Sequence, residues 1–174
     1  MINIRSQLYQ GRTGDDLAEL GIGRSALFDA MSSLVVRLLE GDFGTIWLFA
    51  ADRDVLVGAH NLPDPVIDYV LTTGLSLRPR TADVELLQVD TKAMAKHPLV
   101  NGTGGKMVSA VLVPIVFEQT IVGAAAIGFD IGKHSFDERE PELLALWHTI
   151  FVDALDRQAD LTAMLTDLSK AILS

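Results

Sequence analysis

The sequence predicts an α+β domain in which a central antiparallel hairpin lies between terminal helices and a loop-rich middle segment. Three observations carry this. Val108–Phe129, "VSAVLVPIVFEQTIVGAAAIGF", is apolar except at Ser109, Glu118, Gln119 and Thr120, and its β-branched residues fall in two blocks. Two further β-like runs, "TIWLFA" (45–50) and "VLVGAH" (55–60), are joined by the polar "ADRD". Apolar residues at helical spacing mark both ends of the chain.

Near the N-terminus, "DDLAEL" predicts a short helical turn, interrupted at Gly21 and Gly23. Arg24–Glu40 follows as a helix. Leu27, Met31, Leu34 and Leu38 form its stripe, Phe28 and Val35 widen it, and Gly41 is placed to end it. The first hairpin comes next. "DPVIDYVLTTG" predicts a helix with Pro65 in its first turn and Gly74 after its last. "LSLRPR" (75–80) fits a short edge strand, because Pro79 has no N–H to give a neighbour. "VDTKAMAKHPLVNGTGGK" reads as a short helix and a glycine-rich loop leading into the central hairpin.

The C-terminal helix has two start signals. "SFDE" offers a capping box on Ser135 and Glu138, and Pro141 prefers a first turn. The expectation is a short turn from Phe136 and the main helix from about Pro141. Leu144, Trp147, Phe151, Ala154, Gln158, Leu161, Leu165, Leu168 and Ile172 then recur at alternating spacings of three and four, a sustained heptad broken only by Gln158. A helix of about 33 residues is about 50 Å long, longer than such a domain is wide. Its first half is expected to cover the sheet and its second half to project and pair with a second copy. The expected divisions are therefore an N-terminal arm (1–23), a domain (24–157) and a projecting helix (158–174). Phe151, Ala154, Gln158, Leu161, Leu165, Leu168 and Ile172 are the expected homodimer interface. The bland alternative is an oversized helix that pairs within its own chain.

Strand alternation puts Ile121, Gly123, Ala125, Ile127 and Phe129 on one face of the hairpin and Val122, Ala124, Ala126 and Gly128 on the other. Neither set is polar, so both faces must be covered. The long helices cover one. The segment 62–107 is expected to fold over the other as an irregular lid, with any cavity under 75–107. The all-small set is expected to admit a helix backbone at close range.

Composition narrows the function classes. With 174 residues and 49% apolar content, the chain holds one domain with a real core. It has no cysteine, which excludes disulfides, thiolate metal sites and thiol catalysis. A net charge of −9 argues against a nucleic-acid-binding face. The stretch between Asp68 and Glu118 departs from that sign: five Lys/Arg stand against Asp83, Glu85 and Asp90, giving +2 and leaving −11 for the rest. This is either an ordinary solvated surface or a site for a small anion. The start, "MINIRSQLYQGRTGDD", lacks the apolar core of a signal peptide, and Pro114 with "EQT" argues against a membrane span in 108–129. A cytoplasmic protein without direct nucleic-acid or membrane contact is expected.

The blocks "VSAVLVPI", "TIVGAAAIGF" and "SFDEREPELLALWHTIFVDAL", preceded by a helix and "GTIWLFAADRDVLVGAH", together resemble the GAF domain family from about Ser25 to Arg157. The resemblance implies a GAF-like (profilin-like) twisted antiparallel sheet of five to six strands. Helices from both chain ends lie on one face and irregular lid segments over a ligand pocket on the other. It also implies a sensory or regulatory role in signal transduction or transcription regulation. "GKHSFDERE" keeps the Phe and acids of the cyclic-nucleotide-binding relatives but lacks their Asn, and the missing cysteines set aside the methionine-sulfoxide-reducing and thioether-bilin relatives. "LTAMLTDLSKAILS" resembles the entry helix of a further signalling module, so the chain is expected to be part of a longer protein.

The candidate ligand-binding residues are Trp47, Phe49, Arg78, Arg80, His97, Asn101, Lys106 and Ser109. Trp47 and Phe49 share one strand face; they are core, or pocket floor if that face lies under the lid. Arg78 and Arg80 alternate along one side of their segment. His97 precedes Pro98 in the lid. Asn101 and Lys106 bound "NGTGGK", which lacks the strand–loop–helix setting and final Ser/Thr of a phosphate loop but whose amides could serve an anion. The four histidines show no metal-ligand spacing and no local motif marks a nucleophile, so neither a resident cofactor nor enzymatic activity is expected. Three functions stay open: a sensor that binds a small effector, anionic on the sharper view of the charge pattern, and signals through a dimeric C-terminal helix; a ligand-free dimerisation module; and a haem or iron gas sensor through His97.

Overall fold

The computed structural model describes residues 13–73, 78–88, 109–117, 119–129 and 137–174. Five antiparallel strands form one sheet in the order β2-β1-β5-β4-β3, from β1 (Phe43–Phe49), β2 (Asp54–His60), β3 (Glu85–Gln88), β4 (Ser109–Phe117) and β5 (Thr120–Phe129). The helices are α1 (Gly14–Glu19), α2 (Ala26–Leu38), α3 (Asp64–Thr73) and α4 (Glu140–Leu173). No described helix is long and apolar enough to cross a membrane.

Over Ser109–Phe117 and Thr120–Phe129 the apolar stretch forms the paired strands β4 and β5 inside the sheet. Both faces of it are covered, as its two-sided hydrophobicity requires. On one face Val111, Val113, Ile115, Ala125 and Ile127 meet α1, α2 and α4. Phe151 of α4 is central there. It stacks on Trp147 at 5.2 Å between ring centroids and lies 5.4 Å from Phe28 of α2. The Trp147 indole N–H donates to the Met31 carbonyl at 2.9 Å, tying α4 to α2 through a satisfied polar group.

The opposite face carries a smaller cluster of Phe43, Trp47, Leu56, Ala59, Ala110, Leu112 and Ala126, closed by Ile67 of α3. The small residues of β5 are not approached by a helix backbone there. Phe43 pairs with Gly128 and Trp47 with Ala124, so the rings of β1 fill the space above them. A Cβ on Gly128 would sit 2.3 Å from the Phe43 ring. Close helix approach occurs instead on the helix side, at β2, where a Cβ on Gly58 would lie 2.4 Å from the Phe28 carbonyl oxygen.

α1 and the turn after it belong to the same core. Leu17 and Ile22 are buried in it, so residues 13–23 are packed against the domain and do not form a separate arm. Thr13 and Asp16 form a reciprocal capping box on α1, and Asp15 accepts the Ala51 N–H at 2.7 Å, fastening α1 to the β1–β2 turn. Ser25 caps α2 by accepting the Phe28 N–H. At the other end of α2, Gly41 N–H reaches the Val36 carbonyl and Glu40 N–H the Arg37 carbonyl, a Schellman arrangement. The residue in the left-handed conformation is Glu40 (φ 55°); Gly41 is needed for space, since its Cβ would lie 2.4 Å from Ile127.

Of three further expectations, two shift and one, the start of α4, holds. The edge strand is Glu85–Gln88; in the predicted strand 75–80, the described residues 78–80 form no strand. Pro79 cannot donate to a neighbour, whereas "ELLQ" sends Leu86 to the helix side and Leu87 to the other. α4 starts at Glu140 with Pro141 in its first turn. Its entry is held by Asp137 and Glu140, each accepting the other's backbone N–H; Ser135 and Phe136 lie outside the described residues.

The third concerns the α4 seam. Leu144, Trp147, Phe151, Leu155 and Ala159 are buried, so the core line after Phe151 advances by four and leaves the heptad. A straight helix drifts by about 20° per heptad, and packing against the sheet follows the 3.6-residue period. Phe151 is thus inside its own subunit and is not part of an interface between copies. Ala154 and Gln158 sit half-buried at the flank, and Leu161, Leu165, Leu168 and Ile172 are exposed. Burial continues to Ala159, beyond the boundary expected at Arg157.

Candidate functional site

The sheet face away from the long helices carries the described part of the candidate site. β1 directs Thr45, Trp47 and Phe49 onto it. Trp47 is only 1% exposed, and its indole N–H donates to the Thr45 hydroxyl at 2.9 Å. Its polar handle is satisfied within the strand and its ring is packed, so it is wall and not contact surface. Phe49, at the strand end, is half-buried and reachable.

Arg78 arrives over Phe49 from the segment after α3. Its guanidinium carbon lies 4.6 Å from the Phe49 ring centroid, and Nη2 forms an ion pair with Asp54 Oδ1. Asp54 pairs with Phe49 across the hairpin, so one strand pair supplies both the ring and the carboxylate that hold the cation. The Asp54 side chain is 6% exposed and that of Arg78 is 53% exposed. Beside them is an open hollow of about 320 Å³ lined by Phe49, Ala50, Ala51, Arg78, Pro79 and Ile121. Chemically this corner is a half-exposed guanidinium with an aromatic and a carboxylate already on it. Such a group has N–H donors beyond the one on Asp54 with which to meet a further acidic partner.

Of the other predicted residues, Arg80 is exposed beyond this corner. Ser109 is buried and shares strand parity with Val111 and Val113, which face the helices, so it lies on the opposite side of the sheet. His97, Asn101 and Lys106 lie outside the described residues. The structure therefore brings together Phe49 and Arg78 and leaves Trp47 beneath them. Asp54 and Ile121 join the corner without having been singled out. Asp54 was inferable only from cross-strand register, which the sequence does not fix. Among the described residues, no group of three or more His, Asp or Glu side chains is arranged to hold a metal ion.

The last piece of geometry is the strand order itself: an antiparallel sheet with both terminal helical segments on one face and α3 on the other. Solved structures share it. A domain of a protein described as a two-component sensor histidine kinase from Sinorhizobium meliloti 1021 superposes with a TM-score of 0.61 at 18% identity, over 79% of this chain and 94% of that one. The GAF domain of a protein described as a sensor histidine kinase from Pseudomonas syringae pv. tomato gives 0.60 at 14% identity, over 94% and 92%. The fold is that of a GAF domain. A third structure, a GAF domain from Synechocystis sp. PCC6803 in its photoproduct state, matches at 0.57 and 20% identity over 80% and 96%. No protein-family model matches the sequence, and no curated protein matches it significantly. On this GAF-like frame, the Phe49–Arg78–Asp54 corner lies at the rim of the face opposite the terminal helices.

Proposed function

We propose that this GAF-like domain is a sensory or regulatory module that signals through pairing of α4 with α4 of a second copy. One observation carries the reading. α4 is anchored in the domain as far as Ala159, and beyond it Leu161, Leu165, Leu168 and Ile172 continue at spacings of four, three and four while 53% to 72% exposed. Leucines at that spacing on a solvated helix are the seam of a two-stranded coil. The groove where this stripe meets α2 is lined by Leu27, Ile150, Ala154, Gln158 and Leu161, with the Asp153–Arg157 ion pair at its edge, and measures about 360 Å³. It extends the same apolar surface onto the domain, with Gln158 as a polar interruption that favours a shift of register. Two of the GAF-fold neighbours come from proteins described as sensor histidine kinases, which supports a place upstream of an output domain.

Input is proposed to be a small acidic effector at the Phe49–Arg78 corner, shifting the population of α4 pairings. The specific support is the half-exposed Arg78. The ligand-free alternative is favoured by the packing of Trp47 and by the prior claim of Asp54 on that guanidinium. Two measurements separate these. Removing residues 161–174, past the last buried position, is expected to give a folded monomer by analytical ultracentrifugation; a dimer of undiminished affinity defeats the pairing role. A thermal-shift screen of phosphate, carboxylates and nucleotides on the full chain tests the input. Stabilisation that disappears in Arg78→Ala supports it, and no stabilisation near millimolar concentration favours the ligand-free module.

A further inference from the structure

β4 is longer than its edge neighbour. β3 pairs with Ser109–Leu112 alone, so among the described residues nothing pairs with Val113–Phe117 on that side. On the other side, β5 carries the extra residue of a bulge: Ile115 pairs with Gly123 and Val116 with Ile121. β4 itself stays regular, and alternation turns the backbone of Pro114 and Val116 to the same open edge. Pro114 has no N–H to leave unpaired. The Val116 N–H donates to Nε2 of His148, on α4, at 3.0 Å. One outward donor is thus deleted and the next is capped by a side chain from the helix that runs on beyond the domain.

We propose that the His148–Val116 hydrogen bond is a proton-operated latch between α4 and the open end of β4. Nε2 can accept only as a neutral ring with its proton on Nδ1. Protonation puts a second N–H at Nε2, directly facing the Val116 N–H, and the bond is lost. The ring has somewhere to go. It borders an open hollow of about 240 Å³ whose wall includes Ala82, Val84, Pro114, Pro141 and Ala145. Among the described residues, the groups facing it do not favour an imidazolium. On α4, Leu144, Ala145, Phe151 and Val152 surround it at one turn, and on β4, Pro114 and Val116 are apolar. In the 82–84 stretch, Ala82 and Val84 flank Asp83, whose side chain is exposed. Burial of the ring acts in the same direction and lowers the His148 pKa below its ordinary value. The sign follows from linkage. The folded state holds fewer protons than the unfolded chain, so the latch contributes fully above about 6.5, the unfolded value. That contribution is lost as pH falls through the lower folded value.

The test is amide exchange of Val116, corrected for intrinsic pH dependence, by NMR on the full chain between about pH 7.5 and about pH 5. It compares wild type with His148→Gln, whose side-chain carbonyl accepts a hydrogen bond at every pH in that range. Wild-type protection at Val116 is expected to fall by up to about tenfold per unit as pH drops from about 6.5 toward the lowered His148 midpoint and then to level off, while the Gln variant stays level. An equal pH response in both proteins overturns the latch, as does unchanged wild-type protection down to about pH 5. Should His148→Gln not fold, the wild-type shifts decide alone. The Val116 amide shift must titrate at the His148 midpoint, and a shift that does not move through that midpoint overturns the proposal.

Discussion

The two faces of the sheet are covered by different means. On the helix side, the strands present mostly aliphatic side chains, with Phe117 and Phe129 at the ends of β4 and β5, and the remaining large rings come from the helices: Phe28 from α2, and Trp147 and Phe151 from α4. Glycines are placed there so that backbone can approach backbone, as at Gly58 under Phe28. On the other side, the rings belong to the sheet. Phe43 and Trp47 of β1 lie over the small residues of β5, and α3 adds Ile67 and half-buried Val66. The first arrangement locks separate elements together, so a change is felt across the domain. The second is filled locally, by side chains of neighbouring strands, so a change there bears first on a rotatable side chain and not on a helix backbone.

Truncation of the ring that joins α2 to α4 tests this most severely. Phe151→Ala is expected to cost about 3–5 kcal/mol, read from urea unfolding of the subunit at fixed protein concentration. The loss should be in subunit stability. Leu168→Ala, on the exposed part of α4, should leave the midpoint of a monomeric sample nearly unchanged. A Phe151 variant that unfolds like wild type but dissociates would restore that residue to an interface between copies and erase the contrast drawn here.

Adding one carbon to each face sharpens the comparison. Gly58→Ala drives a Cβ against the Phe28 backbone, which cannot swing aside without moving α2, and about 3 kcal/mol is expected. Gly128→Ala meets the Phe43 ring at a similar nominal distance, but a ring at the end of a rotatable side chain can yield, and about 1 kcal/mol is expected. The thermal midpoints of the two variants give the ordering directly. Equal losses would mean that the side opposite the helices is as rigidly packed as the helix side.

What the sequence disclosed follows the same division. Patterns that depend on one element were legible. The two-sided apolarity of 108–129, the polar turn between β1 and β2, Pro141 at a helix start, and the long C-terminal helix all come from local spacing and capping. Patterns that depend on register were not. Nothing in the sequence states that Phe43 pairs with Gly128, so the small residues of β5 appeared to await a helix backbone. Nothing states that Phe49 pairs with Asp54, so Arg78 appeared as a free cation. The heptad in α4 was real as spacing, but half of it was overruled because packing on the sheet follows the straight-helix period from Phe151 to Ala159. Of the candidate site, Phe49 and Arg78 were recognisable from residue type and position. Their mutual contact was a tertiary fact.

The smallest expected effect lies at that contact. Arg78→Ala removes a cation over a half-buried ring and leaves the Asp54 carboxylate, 6% exposed, without this ion-pair partner. The guanidinium is more than half in water, so solvent and salt screen most of the attraction. A loss of about 0.5–1 kcal/mol is expected, shrinking further in high salt. Arg78→Lys should recover part of the charge term but not the planar stacking, and a full recovery would mean that the ring contributes nothing. Against the several kcal/mol expected at Phe151, a fraction of one at Arg78 marks the Phe49–Arg78–Asp54 contact as a weak local attachment, set by a half-solvated cation and not by packing.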